Sequence, residues 1–328
     1  MESHRIVTAS MSGRVDKVLS SHLEHSRNQI EKMIRAGQVT VEGETVLKPG
    51  HKIEQGTVIG YRFVAAPRRE EIPIDFDVDI LYEDDDILVV NKPAGLVVHP
   101  APSVKEPTLV DWLVQRGISL STLSGEESHG IVHRIDKDTT GALVIAKNNA
   151  AHQNLSEQLQ DKSMGRYYLA VIDHALKTSR EVSAPIARNP KNRLKMAVVE
   201  GGRAAKTQFV TLTSSRQQGS SLIAAKLFSG RTHQIRVHLG ALNRHILGDN
   251  LYGIKSKEGK IGRIFLHAYV LYLTHPTRGD NLEIVAPLFD DMMGYLNHNF
   301  DKEMLHESIQ PDTLRRRFVD DLFHERVC

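Results

Sequence analysis

The segment Gly130-Ile131-Val132-His133-Arg134-Ile135-Asp136-Lys137-Asp138-Thr139-Thr140-Gly141 gathers two carboxylates, two cations, an imidazole and two hydroxyls into twelve residues. Ala142-Leu143-Val144-Ile145-Ala146 follows at once, an apolar run of buried-strand length. Thr139, Thr140 and Gly141 are turn formers. Asp136 is therefore expected on a loop entering a central strand, a place where a rigid scaffold can present a catalytic group. A carboxylate held there can act as a nucleophile or stabilise a cationic centre. Taken alone, the segment fits a solvated, Asp-rich surface turn equally well.

Two later segments supply partners. Gly165-Arg166-Tyr167-Tyr168-Leu169-Ala170-Val171-Ile172 reads as a strand by alternation and aromatic content. The strand Leu222–Phe228 ends at Ser229-Gly230 and runs into Arg231-Thr232-His233-Gln234-Ile235-Arg236-Val237-His238-Leu239. Thr232 is expected to cap a helix whose apolar face is Ile235, Leu239 and Leu242, which puts Arg236 in the first turn, able to point into a cleft. His238 reads as a hydrogen-bonded structural histidine, and His233 stays open between that and the site.

The elements around these segments can be placed from periodicity. Ile80-Leu81-Tyr82, Ile87-Leu88-Val89-Val90 and Gly95-Leu96-Val97-Val98 read as strands, the acidic run Glu83–Asp86 between the first two as a turn. Thr108–Gln115 is helix-like, with Trp112 as a core anchor. Asn148 or Asn149 caps a helix carrying Ala151, Leu155 and Leu159. Residues 188 to 206 hold Arg188, Lys191, Arg193, Lys195, Arg203 and Lys206 against Glu200 alone, in a turn-prone setting suited to neutralising phosphates. The tail after Asp290 is helix-prone and is expected to pack as a surface extension.

Bulk properties narrow the class. Of 328 residues, 40% are hydrophobic and 25% charged, as in an ordinary soluble protein of about two domains. The formal net charge is only +2, so a polyanion must be met by local patches. No apolar run approaches membrane-spanning length, and no signal-peptide core opens the chain, so a cytoplasmic location is expected. The single cysteine, Cys328, excludes an internal disulfide framework and a cysteine-rich zinc site.

The N-terminal stretch forms a unit of its own. Val15, Leu19 and Leu23, then Ile30, Met33 and Ile34, mark two short helices, the second capped by Ser26 and stopped by Gly37. Strands at Gln38–Val41 and Val58–Tyr61 follow. Residues 11 to 61 resemble the S4 RNA-binding domain, through Ser26-Arg27, Arg35-Ala36-Gly37-Gln38-Val39 and Val41-Glu42-Gly43. Arg27, Lys32 and Arg35 fall within two helical turns and offer one basic face for phosphates. A proline-bounded linker over 62–76 leads to a larger domain at 77–290, followed by the extension 291–328.

The three chemical segments together resemble the pseudouridine synthases of the large-subunit ribosomal RNA type, the RluA/RluD branch. Asn91-Lys92-Pro93-Ala94-Gly95-Leu96, Gly202-Arg203-Ala204-Ala205-Lys206-Thr207, Gly248-Asp249 with Tyr252-Gly253, and Leu266-His267-Ala268 extend the likeness in chain order. The family pattern has Leu and Ser where this chain has Ile135 and Thr140. The resemblance implies an α+β fold: an S4-like domain, then a catalytic domain with a mostly antiparallel, twisted sheet and a cleft across it. It implies RNA as partner, no cofactor and no metal. It assigns Asp136 as the catalytic carboxylate, Arg236 as its ion-pair partner, and Tyr168 as the aromatic packed on the uracil and a candidate participant in the proton transfer. Arg134 would fill the position vacated by an everted base, with His133, Arg231, Lys92 and the basic residues named above as RNA contacts. A guanidinium beside a sheltered carboxylate favours its charged form.

Converting uridine to its C-glycoside isomer breaks C1′–N1, turns the uracil and joins C1′ to C5. A carboxylate and a proton acceptor suffice for it. Other readings fit less. His-Arg-Ile-Asp suggests a kinase loop, yet no glycine-rich phosphate loop or Asp-Phe-Gly accompanies it. The 17 histidines suggest a metal, yet Arg134, Arg231 and Arg236 would repel one. A transfer-RNA target and a non-catalytic RNA-binding assembly factor remain as alternatives.

Overall fold

The computed structural model describes residues 4–23, 27–62, 73–101, 104–124, 128–217, 219–253, 261–321 and 323–327. Two compact units emerge, Met1–Ile74 with His99–Ile131, and Asp75–Val98 with Val132–Cys328.

In the first unit, β1 (His4–Thr8) and β2 (Gly13–Arg14) precede α1 (Val15–His22) and α2 (Arg27–Arg35), and β3 (Val39–Val41), β4 (Glu44–Thr45), β5 (Lys52–Ile53) and β6 (Val58–Arg62) follow. The sheet order is β1-β6-β3-β4, with β2 paired to β5. Of the helical stripes read from the sequence, Val15 and Leu19 with Ile30, Met33 and Ile34 are buried against Val39 and Ile59, Val18 joins them, and Leu23 is partly buried. Gly37 ends α2 with φ +70, a left-handed turn that glycine enters without steric cost. The expected cap Ser26, and linker residues 63–72, lie outside the described residues. Helix α3 (Leu109–Gln115) is capped reciprocally by Thr108 and Asp111, and Trp112 is buried. Segment 99–131, expected within the larger domain, groups with this first unit.

The second unit is built on one large sheet. Its strands are β7 (Asp79–Glu83), β8 (Ile87–Lys92), β9 (Thr140–Ala146), β10 (Gly165–Asp173), β11 (Arg180–Ser183), β14 (Lys206–Ser214), β15 (Ser220–Leu227), β16 (Leu266–Thr274), β17 (Asn281–Val285) and β18 (His324–Val327). A separate hairpin consists of β12 (Ile186–Arg188) and β13 (Met196–Val198). The order is β18-β11-β14-β15-β10-β16-β9-β8-β7, with β17 also on β16. Pairing is antiparallel except β9 with β16 and β11 with β18. The expected mostly antiparallel α+β architecture is what the chain forms.

Strand alternation decides which face carries chemistry. Tyr167, Leu169 and Val171 of β10 enter a core completed by Met292, Leu296, Phe300, Leu305, Leu314 and Phe318. Five of those last six belong to α6 (Asp290–Asn299), α7 (Lys302–Ser308) and α8 (Pro311–Asp320), and Phe300 is the residue that ends α6. The tail is thus a wall of the core rather than a surface extension. Its apolar side chains sit at helical spacing and cover the sheet face that β10 turns away from the cleft. On another part of the sheet, α4 (Asn149–Asp161) buries Ala151 and Leu155 against Val89, Val144 and Leu271. Its cap is Asn148, which accepts from the Ala151 N–H at 2.9 Å.

Two expectations change. Residues 95–98 are not a strand. Pro93 lacks an N–H, Gly95 takes φ +79, and the Leu96 carbonyl turns toward the Lys92 ammonium, so the chain curls instead of pairing. Helix α5 (Gln234–Ala241) is preceded by His233 at φ 57, not capped by Thr232.

Candidate active site

The Asp136 loop is tied down from both sides. Downstream, β9 is wholly buried and runs beside β16, with Thr140 opposite His267 and Gly141 opposite Ala268. Gly141 has φ +111, and a Cβ there would meet the Ala268 carbonyl oxygen at 2.3 Å, so only glycine permits this approach. Thr140 Oγ1 lies 2.8 Å from His267 Nδ1 and adds a side-chain tie. On the other side, Lys92 Nζ donates to the carbonyls of Pro93 (2.7 Å), Leu96 (2.8 Å) and Lys137 (2.9 Å).

That geometry corrects the expectation for Lys92. It is fully buried, and burial pushes its ammonium down to about 7 against the pull of Asp138 and Asp136. It staples the carboxylate loop to the 93–96 turn and cannot reach a phosphate. His133 is also turned inward. Its Nε2 accepts from the Val144 N–H at 3.2 Å, and its Nδ1 touches the Arg166 guanidinium. Burial, and then Arg166, hold this imidazole neutral, well below its usual range. It braces the loop against β9 and β10 and is not an RNA contact.

Asp136 faces Arg236 as expected: Arg236 Nη1 donates to Asp136 Oδ2 at 3.2 Å. The guanidinium is itself gripped by a residue to which the sequence reading assigns no role. Arg236 Nε and Nη2 donate to the two Asp249 oxygens, each at 2.8 Å. The Leu251 and Tyr252 N–H groups donate to Asp249 Oδ1 at 3.0 Å. Burial would raise the Asp249 carboxyl, but Arg236 and those two backbone donors hold it below the ordinary carboxylate range. Burial alone would lower the Arg236 guanidinium, and Asp249 and Asp136 raise it. The Tyr252 ring lies under that guanidinium, 4.8 Å from its carbon. The fork is thereby fixed in plane and orientation, which a flexible cation would not be.

Around these groups lies a cleft of about 530 Å³, open to solvent, lined by Arg134, Ile135, Asp136, Arg166, Tyr168, Arg231, His233 and Arg236 among others. Arg166 and Tyr168 reach it because they occupy the β10 face opposite to Tyr167 and Leu169. Tyr168 is 3% exposed, and burial, with Asp136 nearby, raises its phenol. A protonated aromatic wall suits stacking on a base better than proton abstraction. Arg134 is exposed beside Asp136, and Arg231 Nε donates to the Ala204 carbonyl at 3.1 Å. Gln234 ties the loop after β15 down, donating to Lys206 O and Thr207 Oγ1, each at 2.9 Å. Asp249, Tyr252 and Gln234 are absent from the site residues read from the sequence, and His233 stays open there. Their only trace in the sequence is membership of the Gly230–Leu239 and Gly248–Gly253 segments.

The expected basic surfaces survive in reduced form. Arg188, Lys191 and Arg193 are exposed on the β12–β13 hairpin, and Arg203 is exposed just after it. Lys195 Nζ sits 5.7 Å over the Tyr252 ring, and Lys206 pairs with Glu181 at 2.7 Å. On α2, Lys32 and Arg35 are exposed. Arg27 departs from expectation: it shares the fully buried Asp16 with Arg14, at 2.8 and 2.9 Å. Its charge serves the unit's own core.

This chain matches the model of the RNA pseudouridylate synthases over residues 86–241 and that of the S4 domain over residues 13–59. It is 46% identical over 316 residues to an RNA pseudouridine synthase of Helicobacter pylori strain J99, covering 93% of this chain and 96% of that one. It is 38% identical over 292 residues to the ribosomal large subunit pseudouridine synthase D of Xylella fastidiosa, covering 85% and 86%. Among solved structures, human RNA pseudouridylate synthase domain containing 1 is similar at a TM-score of 0.54 and 27% identity, over 66% of this chain and 86% of that chain. No described helix is long and apolar enough to cross a membrane.

Proposed function

The chain belongs to the family of RNA pseudouridylate synthases, and we propose that it isomerises uridines in large-subunit ribosomal RNA with Asp136 as the catalytic carboxylate. The observation that carries the assignment is one cleft holding Asp136, Arg236 clamped by Asp249, and Tyr168 as a wall. The target is supported by the relatives whose names specify the ribosomal large subunit.

The geometry supports the following chemistry. An everted uridine enters with its base against Tyr168 and its C1′ toward Asp136, at an unstacking cost of a few kcal/mol. Asp136 stabilises or captures C1′ as the C1′–N1 pair leaves with the uracil. The detached uracil turns and its C5 forms the new bond to C1′, and any Asp136 O–C1′ bond breaks with its pair returning to the carboxylate. A proton then leaves C5 and N1 gains one, so no electrons and no atoms are lost. Arg236 keeps the carboxylate aimed throughout, since both edges of its fork are already used by the two aspartates.

Mapping pseudouridines in total RNA from a strain lacking this protein tests the target. The sites lost should lie in large-subunit ribosomal RNA and return with the wild-type gene. Loss confined to transfer RNA would overturn the target.

Two further outcomes are expected. Changing Arg188, Lys191 and Arg193 together to Ala should weaken binding and flatten the slope of log affinity against log salt by about two, since each phosphate contact contributes about 0.7 to 0.9. An unchanged slope places the RNA elsewhere. Arg134→Ala should cost activity on base-paired RNA but little on an unpaired oligonucleotide, because only the duplex has a vacated stack to fill. Equal losses on both substrates would remove that role.

A further inference from the structure

His233 holds a backbone conformation that non-glycine residues rarely adopt, φ 57, at the mouth of the strand-to-helix turn. Such outliers gather where function over-determines the backbone. Its ring spans two features of the fold. Nε2 lies 3.9 Å from Asp136 Oδ2, and Nδ1 lies 2.9 Å from the Tyr252 hydroxyl. That hydroxyl accepts the Met196 N–H of β13 at 2.6 Å and lies 3.2 Å from the Met196 carbonyl. Tyr252 therefore has one proton and two acceptors in range, the His233 imidazole and the hairpin backbone.

From this arrangement we propose that His233 is a positioning residue for Asp136 whose tautomer is set by Tyr252, so that the basic β12–β13 hairpin is wired to the carboxylate through a single hydroxyl. The inference rests on the assignment of Asp136 above. When Tyr252 donates to Nδ1, the neutral imidazole carries its proton on Nε2 and presents it to Asp136. When Nδ1 is protonated as well, the hydroxyl turns to the Met196 carbonyl, and an imidazolium stands beside the Asp136–Arg236 pair. A nucleotide seated in the cleft needs only a small shift of the ring to close the 3.9 Å gap to a hydrogen bond.

The groups facing His233 decide which state prevails. Asp136 and Arg134 come from the loop before β9, Arg236 from α5, and Asp249 and Tyr252 from the loop after α5. Burial lowers the imidazole below its usual value, Asp136 and Asp249 oppose this, and Arg236 and Arg134 reinforce it. The net lowering leaves His233 neutral at neutral pH, with Tyr252 donating. Acidification then charges it, breaks the Tyr252 donation, and places a second cation on the carboxylate. Turnover should fall with that protonation.

The test uses full-length protein, a saturating ribosomal RNA fragment and single-turnover rates across about pH 5 to 8. His233→Gln keeps a polar side chain that does not titrate. Tyr252→Phe keeps the ring under Arg236 and removes the hydroxyl. Both variants should bind RNA like the wild type and turn over about tenfold more slowly at neutral pH. His233→Gln should also lose the fall in rate that wild type shows on acidification. Nitrogen chemical shifts of the imidazole should report the Nε2–H tautomer in wild type and a mixture in Tyr252→Phe. Wild-type rates and an unchanged acid limb in both variants would overturn the inference while leaving Asp136 standing. Full activity in Asp136→Asn would overturn both.

Discussion

Asp136→Asn is expected to reduce single-turnover pseudouridine formation by on the order of 10³–10⁴, while leaving RNA affinity close to wild type. The substitution preserves volume and leaves an oxygen able to accept from Arg236, so the loop should stay in place. What disappears is the charge and the oxygen proposed to act at C1′. The loop is also held independently of the carboxylate, by Lys92 on the Lys137 carbonyl and by the Gly141 contact with Ala268. Those ties are why a clean separation of binding from chemistry is expected here. Stopped reactions resolved by nucleoside analysis, with filter binding in parallel, measure both quantities. A variant that loses binding together with turnover would make Asp136 a structural residue, and the non-catalytic reading would regain its place.

The carboxylate and its two partners were legible because the residues carrying chemistry sit in short, separated segments whose order along the chain is itself informative. Asp136, Tyr168 and Arg236 do converge on one cleft. The large sheet could be read for the same kind of local reason, since β8, β9 and β10 are each marked by apolar runs or alternation. What sequence could not show is where a polar group ends after folding. Lys92 reads as a cation for RNA, yet three carbonyls from two separate turns close over it. Arg27 reads as part of a basic face, yet a buried aspartate eleven residues away claims it. Asp249 is marked in the sequence only by its place in the Gly248–Gly253 segment, which does not say what it binds. Its importance comes from meeting the Arg236 fork edge-on with both oxygens, a relation between a helix and a loop that no periodicity encodes. The tail misled for a similar reason. Helical spacing in 290–320 was visible, but the sheet face it covers is defined by β10, β14 and β15, far upstream. The inward face of Tyr167 and the outward face of Tyr168 are one residue apart, so the placement of the site depends on the pleat.

Removing Arg236 should damage stability as well as activity, and the pH dependence of the damage should identify Asp249 as the reason. In the wild type the Asp249 side chain is 1% exposed and faces a guanidinium at 2.8 Å. Arg236→Ala leaves that carboxylate buried without its counter-charge, a change that costs about 3–5 kcal/mol. The sign follows from linkage. In wild type the carboxyl is held below its unfolded value, so its stabilising contribution is present above the unfolded range and is lost only as pH falls through the lowered value. In Arg236→Ala the same carboxyl is desolvated and unpaired, so it moves above the unfolded value and resists ionisation. The variant should then be most impaired at alkaline and neutral pH and approach wild type on acidification, the reverse of the wild-type trend. Arg236→Ala with Asp249→Ala removes the orphaned charge and should recover a large part of the lost stability without recovering activity, because Asp136 still lacks its aiming partner. Thermal unfolding of the three proteins across the acidic and neutral range checks the pattern. A stability deficit in Arg236→Ala that is independent of pH, or a double variant no better than the single one, would show that the Asp249 clamp is not what holds Arg236 in the cleft.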